Sequence, residues 1–342
     1  IENEASDLHV TAGLPAVIRR FGSLYFLDDQ ILKPEDCLSC VEQCLTEEQK
    51  KTLEDMGEVD LAYMLPGIGR FRVNAYRQRG TYSLAFRIIS TKVPDISQLG
   101  LPDILYELAN KQRGLVLITG PTGSGKSTTL AGMINHINNE RRCRIITIED
   151  PIEYLYKHNR SMINQREIGG DTKNYSNALR AALREDPDVI LIGEMRDEET
   201  ISIALTAAET GHLVFSTLHT LGAAKTVDRI IDVFSPHQQG QVRSQLSTVL
   251  QGIVSQQLIR QADNLGRVVA TEVMIVTPAI SNMIRESRTM QINSSIHTGS
   301  EFGMHSMDSC LAALVKQEKI TFESACQYSM DMAALKKLLA VD

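Results

Sequence analysis

The sequence predicts two domains, a small α+β domain followed by a larger α/β domain built on a parallel sheet. The first observation is length, because 342 residues exceed what a single hydrophobic core usually covers. The second is that the amino-terminal part reads as short strands and turns around one or two helices. The third is that continuous apolar runs alternate with amphipathic helices from Leu115 onward. We predict the small domain at residues 1–95, a linker at 96–106 and the larger domain at 107–342.

The composition is that of an ordinary soluble protein. No stretch approaches the roughly 18 uninterrupted apolar residues of a membrane helix, and the acidic residues 1–4 do not resemble a secretory signal. Six scattered cysteines are too few for a disulfide framework in a chain this long, so we expect a reducing cytosol. A net charge of −7, no Trp and 5% aromatic residues argue against nucleic-acid binding, which needs basic and stacking side chains.

The small domain shows strand patterns with a turn between them. Residues 16–19 and 24–26 read as strands on either side of a turn at Gly22. Residues 69–77 alternate polar and apolar side chains, which predicts a half-buried strand with its arginines on one face.

Three cysteines of the small domain share a helical spacing. Cys37, Cys40 and Cys44 fall on one face of a predicted helix, and no second Cys or His pair follows at metal-binding spacing. We therefore expect these thiols to pack in the core as small apolar side chains.

Four apolar runs predict the strands of the larger domain, at residues 115–118, 145–148, 189–192 and 213–215. Each run is followed by polar residues or glycine. Because an open α/β sheet binds its ligand beyond the carboxyl ends of its strands, we expect the chemistry at these four exits. After about residue 240 the sequence reads as mostly helical, so we predict a helical carboxy-terminal part.

A phosphate-binding motif follows the first of these strands. Residues 120–127 read GPTGSGKS and match G-x-x-x-x-G-K-[ST] between a predicted strand and a predicted helix. In such a loop the backbone N–H groups surround the phosphates, Lys126 reaches the β- and γ-phosphates, and Ser127 offers its hydroxyl to Mg²⁺. The predicted cofactors are ATP and Mg²⁺. The predicted nucleotide-binding residues of the loop are Gly120, Pro121, Thr122, Gly123, Ser124, Gly125, Lys126, Ser127 and Thr128.

Carboxylates follow two of the other strands. Glu149, Asp150 and Glu153 come after the second strand, and Glu194 comes after the third, where Gly193 replaces the usual metal-side Asp. We expect Glu194 to polarise the attacking water. Glu149, Asp150 and Glu153 hold the hydrated Mg²⁺ or share the general-base role, and which carboxylate is the base stays open. The predicted metal ligands are Ser127, Glu149, Asp150, Glu153 and Glu194.

A histidine follows the fourth strand. His219 lies in the segment STLHT, directly after the apolar run. At a strand exit beside the nucleotide, its side chain can sense the γ-phosphate through a hydrogen bond. We therefore count Glu194, Glu153 and His219 as catalytic candidates.

Four motifs together carry a family resemblance. GPTGSGKST, IEDPIEY, GEMRD and TAAETGHLVFSTLHT resemble the Walker A, Asp box, Walker B and His box of the secretion ATPase superfamily. Residues 5–9 (ASDLH) and 279–286 (AISNMIRE) are most similar to the PilT family of type IV pilus retraction ATPases. The second motif is usually AIRNLIRE in that family, so Ser281 and Met283 depart from it, and Ser281 replaces an arginine.

The resemblance implies an architecture and a function. It implies a homohexameric ATP-hydrolysing motor in which each chain has an amino-terminal PAS-like α+β domain and a RecA-like P-loop ATPase domain. The motor powers pilus retraction and twitching motility by acting with the pilus machinery on an inner-membrane platform protein, at the cytoplasmic face of that membrane. Arginines from a mobile domain or a neighbouring subunit then assist γ-phosphate cleavage. The candidates are Arg70, Arg72, Arg77, Arg79 and Arg229.

Other functions compete with this interpretation. An accessory retraction ATPase of the PilU kind has much the same core. Pilus-extension and type II secretion ATPases usually carry a CxxC…CxxC zinc insertion and a further amino-terminal domain, which this sequence does not show. A RecA-like DNA translocase conflicts with the acidic charge balance. A catalytically inactive scaffold conflicts with the presence of Lys126, Ser127 and Glu194.

Overall fold

The computed structural model describes residues 5–20, 23–66, 68–90, 92–263 and 265–340. The chain divides into two compact units. Unit 1 contains residues 1–92 and 151–155, and unit 2 contains residues 93–150 and 156–342. The predicted turn at Gly22 and the acidic residues 1–4 lie outside the described residues.

Unit 1 is a six-stranded antiparallel sheet with two helices. Its strands are β1 (Asp7–Thr11), β2 (Val17–Arg20), β3 (Ser23–Phe26), β4 (Glu58–Leu65), β5 (Gly69–Gln78) and β6 (Thr81–Ile89), and its helices are α1 (Pro34–Cys44) and α2 (Glu47–Met56). The order across the sheet is β3-β2-β1-β6-β5-β4. The predicted strands at residues 16–19, 24–26 and 69–77 are present with small shifts at their ends.

The three cysteines of α1 belong to the core of unit 1. Cys37 is fully buried, and Cys40 and Cys44 pack against the same apolar cluster. Burial raises the pKa of all three thiols, because the charged thiolate is disfavoured away from water. The prediction that these residues pack as small apolar side chains is confirmed.

The arginines of β5 do not share one face, so that prediction is wrong. The strand pairs with β4 and β6 without a bulge, and successive side chains therefore alternate between its faces. Arg70 and Arg72 lie on one face, with Arg72 3.8 Å from Asp60. Arg77 is an odd number of residues away and belongs to the face of the buried Val73, near the strand end. Arg79 lies in the following turn with a positive φ of 48°.

Unit 2 is built on a seven-stranded sheet in the order β13-β12-β7-β11-β10-β8-β9. All neighbouring pairs are parallel except β12 and β13. The strands are β7 (Gly114–Thr119), β8 (Arg144–Glu149), β9 (Met162–Glu167), β10 (Val189–Ile192), β11 (Leu213–Leu218), β12 (Leu250–Arg260) and β13 (Arg267–Ile275). The four predicted apolar runs are β7, β8, β10 and β11, whose full burial explains why they lack alternation.

Helices cover both faces of this sheet. They are α3 (Ile104–Ala109), α4 (Lys126–Glu140), α5 (Tyr175–Ala182), α6 (Glu198–Glu209), α7 (Ala223–Asp232), α8 (Pro236–Val249), α9 (Pro278–Arg285), α10 (Ile292–Thr298), α11 (Met307–Lys316), α12 (Phe322–Tyr328) and α13 (Met332–Leu339). One buried cluster joins α3 and α4 to the sheet, and a second joins α5 to α9 to the opposite face. Helices α11 to α13 share a third cluster with the ends of β12 and β13.

The part after residue 240 is mostly helical as predicted, but it also contains two strands that the sequence pattern did not indicate. Strands β12 and β13 lie between α8 and α9, and β12 pairs directly with β7. Their central positions carry buried polar side chains, including Ser255, Gln256, Gln257 and Glu272. These side chains remove the apolar run that identified the other central strands. Residues from Pro278 onward are helical as predicted.

The predicted linker folds with unit 2. Residues 96–99 form a short 3₁₀ helix, and Ile96 and Leu105 are buried in the cluster that contains α4. The domain boundaries at 95 and 107 stay predictions. Among the described residues, the structure contains no helix with the length and apolar character needed to cross a membrane.

Candidate functional site

The phosphate-binding motif connects a buried strand to a helix, as its pattern predicts. Strand β7 is fully buried, and α4 begins at Lys126. Gly123 and Gly125 have φ values of 79° and 90°, a conformation that favours glycine. The Lys126 side chain lies across the loop. Its Nζ donates to the backbone carbonyl oxygens of Gly120 at 2.9 Å and Pro121 at 3.0 Å. The loop therefore holds a buried ammonium group at its centre.

Strand β12 supports this loop from the side. The buried Gln256 donates from Nε2 to the Ser124 carbonyl oxygen at 2.7 Å and accepts from Thr129 Oγ1 at 3.0 Å. A Cβ atom at Gly120 would collide with the Gln256 carbonyl oxygen. Glycine at this position thus allows the start of the loop to lie directly against β12.

Glu194 lies at the end of β10 with both carboxylate oxygens engaged. Oε1 is 2.6 Å from Nη2 of Arg196, and Oε2 is 3.3 Å from Nε2 of His219. The other ring nitrogen of His219, Nδ1, lies 3.5 Å from Thr122 Oγ1 in the phosphate loop. His219 therefore bridges the phosphate loop and the carboxylate expected to activate water.

Gly193, which replaces the usual metal-side Asp, lies against Tyr175. A Cβ atom at Gly193 would lie 2.9 Å from the Tyr175 hydroxyl oxygen. The Gly193 carbonyl oxygen accepts from Thr217 Oγ1 at 2.6 Å, which links β10 to β11. Burial, followed by the nearby charges of Asp150, Glu194 and Glu149, raises the pKa of Tyr175. Its phenol therefore stays protonated beside these three carboxylates.

Glu149 is a buried carboxylate at the end of β8. One of its oxygens, Oε1, accepts from Thr147 Oγ1 at 2.6 Å and from Gln165 Nε2 at 3.2 Å. These two hydrogen bonds hold Oε1 of Glu149 at the carboxyl end of β8. Among residues 5–340 as far as they are described, no group of three or more His, Cys, Asp or Glu side chains has an arrangement that could hold a metal ion.

A cavity of about 410 Å³ opens beside Glu194. Its lining includes Glu194, Arg196, His219, Thr217 and Arg229. Arg229 is exposed on α7 and projects into a space that also contains the water-activating candidate. The structure thus places Arg229, Glu194 and His219 of one chain around the same cavity.

The other predicted residues fall into two groups. The loop residues, Glu149, Asp150, Glu194, His219 and Arg229 all belong to unit 2, whereas Glu153 and the four arginines at 70, 72, 77 and 79 belong to unit 1. The roles of all these residues stay predictions.

Four residues of the site were not identified from the sequence. They are Tyr175, Arg196, Thr217 and Gln256. Arg196 and Thr217 lie inside the quoted GEMRD and STLHT segments, so their motifs give a signal for them. Tyr175 and Gln256 come from segments without a motif, and only the packing around Gly193 and Gly120 reveals them.

Comparisons with known proteins agree with this geometry. Residues 1–325 match the family described as type II/IV secretion system protein. The chain is 49% identical to the type IV pilus retraction ATPase PilT of Pseudomonas aeruginosa, over 94% of this chain and 93% of that protein. It is 40% identical to the type IV pilus ATPase PilU of the same organism, over 96% and 86% of the two chains. A crystal structure of the pilus retraction motor PilT with bound ADP superposes with a TM-score of 0.92 and 49% identity, covering 98% of this chain and 96% of that chain.

These findings confirm three predictions made from the sequence. The resemblance to PilT extends over almost the whole chain, the α/β fold with its smaller antiparallel domain matches that of the retraction motor, and the enzyme class is ATP hydrolase. The chain belongs to the type II/IV secretion system protein family.

Proposed function

We propose that this chain is the ATPase motor of type IV pilus retraction. The observation that carries the proposal is the contact series from Thr122 through His219 to Glu194, which connects the phosphate loop to the water-activating carboxylate. Identity of 49% to PilT against 40% to PilU, at similar coverage, supports the principal retraction motor over the accessory one.

The phosphate loop fits a nucleotide. Its glycines leave room for phosphate oxygens near the backbone, Lys126 supplies a positive charge, and the buried Ser124 hydroxyl has no hydrogen-bond partner among the described residues. The relative with bound ADP has the same fold at 49% identity, which supports a nucleotide at this loop. ATP is therefore the proposed substrate.

The residues near the loop also fit Mg²⁺. Ser127 offers a hydroxyl at the start of α4, and Glu149 and Asp150 offer carboxylates at the end of β8. Two protein ligands suffice, because Mg²⁺ in nucleotide sites keeps several waters and binds phosphate oxygens. When bound, the ion neutralises developing charge on the phosphates. Glu153 stays a candidate for the same role.

The chain's own groups then perform the hydrolysis step. Lys126 binds the β- and γ-phosphates, and a carboxylate oxygen of Glu194 accepts the proton of the attacking water. His219 donates a hydrogen bond to the γ-phosphate and thereby senses whether it is present. The bond from the γ-phosphorus to the β–γ bridging oxygen breaks, so the products are ADP and inorganic phosphate. Arg229 and the arginines at 70, 72, 77 and 79 supply positive charge that stabilises the phosphoryl group in transfer.

The proposal includes a homohexamer acting on a partner in the membrane. Positive charge delivered by a neighbouring subunit couples cleavage to rigid-body motion between subunits. The ring acts on an inner-membrane platform protein from the cytoplasmic side, so that pilins leave the base of the pilus. The family membership supports this placement.

A complementation experiment tests the proposal. A strain without the gene is complemented with wild type, Lys126→Ala or Lys316→Ala, and surface pili and twitching are scored. We expect Lys126→Ala to leave abundant pili and no twitching, because the loop loses the charge that holds the phosphates. Lys316 is an exposed lysine of α11, and its variant serves as the control that retracts normally. Normal twitching with Lys126→Ala contradicts a motor role. If the strain without the gene still retracts its pili but with less force, the accessory PilU role is indicated instead.

A further inference from the structure

Gln256 makes the contacts from β12 to the phosphate loop. Its amide donates to the Ser124 carbonyl oxygen at 2.7 Å and accepts from the Thr129 hydroxyl at 3.0 Å, so it joins the loop to the first turns of α4. The backbone carbonyl oxygen of Gln256 lies where the side chain of any residue other than glycine at position 120 would begin. All of these atoms are buried, which makes each hydrogen bond costly to lose.

Ser255, the preceding residue, makes the corresponding contact on the other face of the strand. Its Oγ accepts from the Gly222 backbone N–H at 2.9 Å. Glu272, its cross-strand partner on β13, accepts from the Ala223 N–H at 2.8 Å. These two N–H groups lie at the start of α7, three and four residues after His219. The β12–β13 pair therefore holds the segment that carries the candidate γ-phosphate sensor.

We propose that Ser255 and Gln256 are positioning residues that together set the phosphate loop and the His219 segment relative to each other. The inference rests on the proposed nucleotide-binding function and extends it to two residues of β12. Neighbouring residues of a strand project to opposite faces, so the α4 side and the α7 side of the sheet are each held by one of them. The same short piece of backbone thereby holds the phosphate loop, which carries Thr122, and the segment that follows His219, which are the two partners in the first contact of the series.

This arrangement explains why polar side chains occupy the centre of a buried strand. Val254 belongs to the apolar cluster of α4 and Ile253 to that of α6 and α7, and the next two positions continue the same alternation with polar groups. A buried polar group is tolerated only with partners, and here the partners are backbone atoms of Ser124 and Gly222 and the hydroxyl of Thr129.

Binding of a fluorescent ADP analogue to the full chain tests the first half of the inference. Gln256→Met keeps the side-chain volume and removes both hydrogen bonds. We expect the Kd to rise by about tenfold, equivalent to about 1.4 kcal/mol. The matched control is Gln257→Met, which removes the other buried glutamine of the same strand, whose Nε2 donates to the backbone carbonyl oxygen of Tyr328 instead. We expect that control to lower the thermal midpoint like Gln256→Met but to bind the analogue like wild type.

Steady-state ATP turnover tests the second half. Ser255→Ala leaves the Gln256 contacts in place and frees the Gly222 N–H. We expect kcat to fall by about tenfold through misplacement of His219, with the Kd for the analogue unchanged. An unchanged kcat overturns this half. A Ser255→Thr variant retains the hydroxyl that accepts from the Gly222 N–H, so we expect its kcat to be higher than that of Ser255→Ala.

The outcomes separate this inference from the function on which it rests. If wild type does not bind the analogue, the proposed function fails. If wild type binds and Gln256→Met binds equally well, the inference fails while the function stands. Should Gln256→Met not fold, Thr129→Val removes only the hydroxyl that donates to Gln256, and an affinity loss of about threefold is then expected; wild-type affinity in that variant overturns the inference.

Discussion

The Tyr175 hydroxyl occupies the space where a side chain at position 193 would begin. The distance from a Cβ atom at Gly193 to this oxygen would be 2.9 Å, and the Glu149 Cα would be 3.4 Å away. An Asp at this position therefore does not fit the present packing. Glycine here is explained by the packing of α5 against the end of β10, and the carboxylates that serve the cation must come from other strands.

A pair of substitutions at this contact provides a direct prediction. Gly193→Ala should destabilise the protein by about 1–3 kcal/mol through overpacking, and Tyr175→Phe should recover part of that loss because it removes the oxygen that collides. Chemical denaturation of the two single variants and the double variant measures the coupling. Additive effects in the double variant would mean that the Tyr175 hydroxyl is not the cause of the clash.

Most residues of the site could be predicted from their type and from their position after a strand. Lys126, Glu194 and His219 were identified because they occur at motif positions after strands, and Arg229 was a candidate only through the family resemblance. The faces of β5 were misjudged at Arg77, because the polar–apolar alternation breaks at Tyr76 and Arg77 lies five residues after Arg72, which places it on the opposite face. Tyr175 and Gln256 act through contacts distant in sequence, which no local pattern records.

Among the secondary-structure elements, strands β12 and β13 show the limit of prediction. Central strands are identified by continuous apolar runs, but β12 has polar side chains at three consecutive central positions, 255–257. Each of these contacts backbone or side-chain atoms of another segment. The central residues of β12 are therefore polar because they form hydrogen bonds to neighbouring segments. Strands β7, β8, β10 and β11 are apolar because they pack in the hydrophobic core.

His305, which attaches β13 to the segment before α11, predicts that the folding stability depends on pH. His305 exchanges backbone hydrogen bonds with Val273, and its Nε2 lies 2.8 Å from Thr271 Oγ1. Burial lowers the pKa of His305, so below about 6.5 the unfolded chain binds a proton that the folded chain does not. This histidine therefore contributes stability above about pH 6.5 that is lost as the pH falls.

Thermal midpoints at pH 7.5 and pH 5.5 measure this contribution. The decrease on acidification should be smaller in His305→Gln than in wild type, because glutamine keeps a polar group near Thr271 and does not titrate. Burial raises the pKa of the neighbouring Glu272, which acts with the opposite sign above about pH 4.5, so the comparison between variants is needed to isolate His305. Equal decreases in the two proteins would exclude the histidine as a source of acid sensitivity.

For the whole molecule, family membership and charge favour a protein-directed motor. The net charge of −7 and the absence of Trp favour a protein partner over nucleic acid, and the similarity to PilT extends over 94% of the chain. The phosphate loop, Glu194, His219 and Arg229 belong to unit 2, and the remaining candidate arginines belong to unit 1. The proposed coupling of hydrolysis to movement assigns a role to residues of each unit.

ATP turnover by the purified chain, compared between wild type and Glu194→Gln, tests the central claim most directly. The account predicts Mg²⁺-dependent phosphate release by wild type and a decrease of about 10²–10⁴-fold in Glu194→Gln, since the amide cannot accept the proton of water. Nucleotide binding should persist in that variant, because Lys126 and the phosphate loop are unchanged. Wild type that releases no phosphate at any protein concentration, or a Glu194→Gln variant with wild-type turnover, would contradict the account.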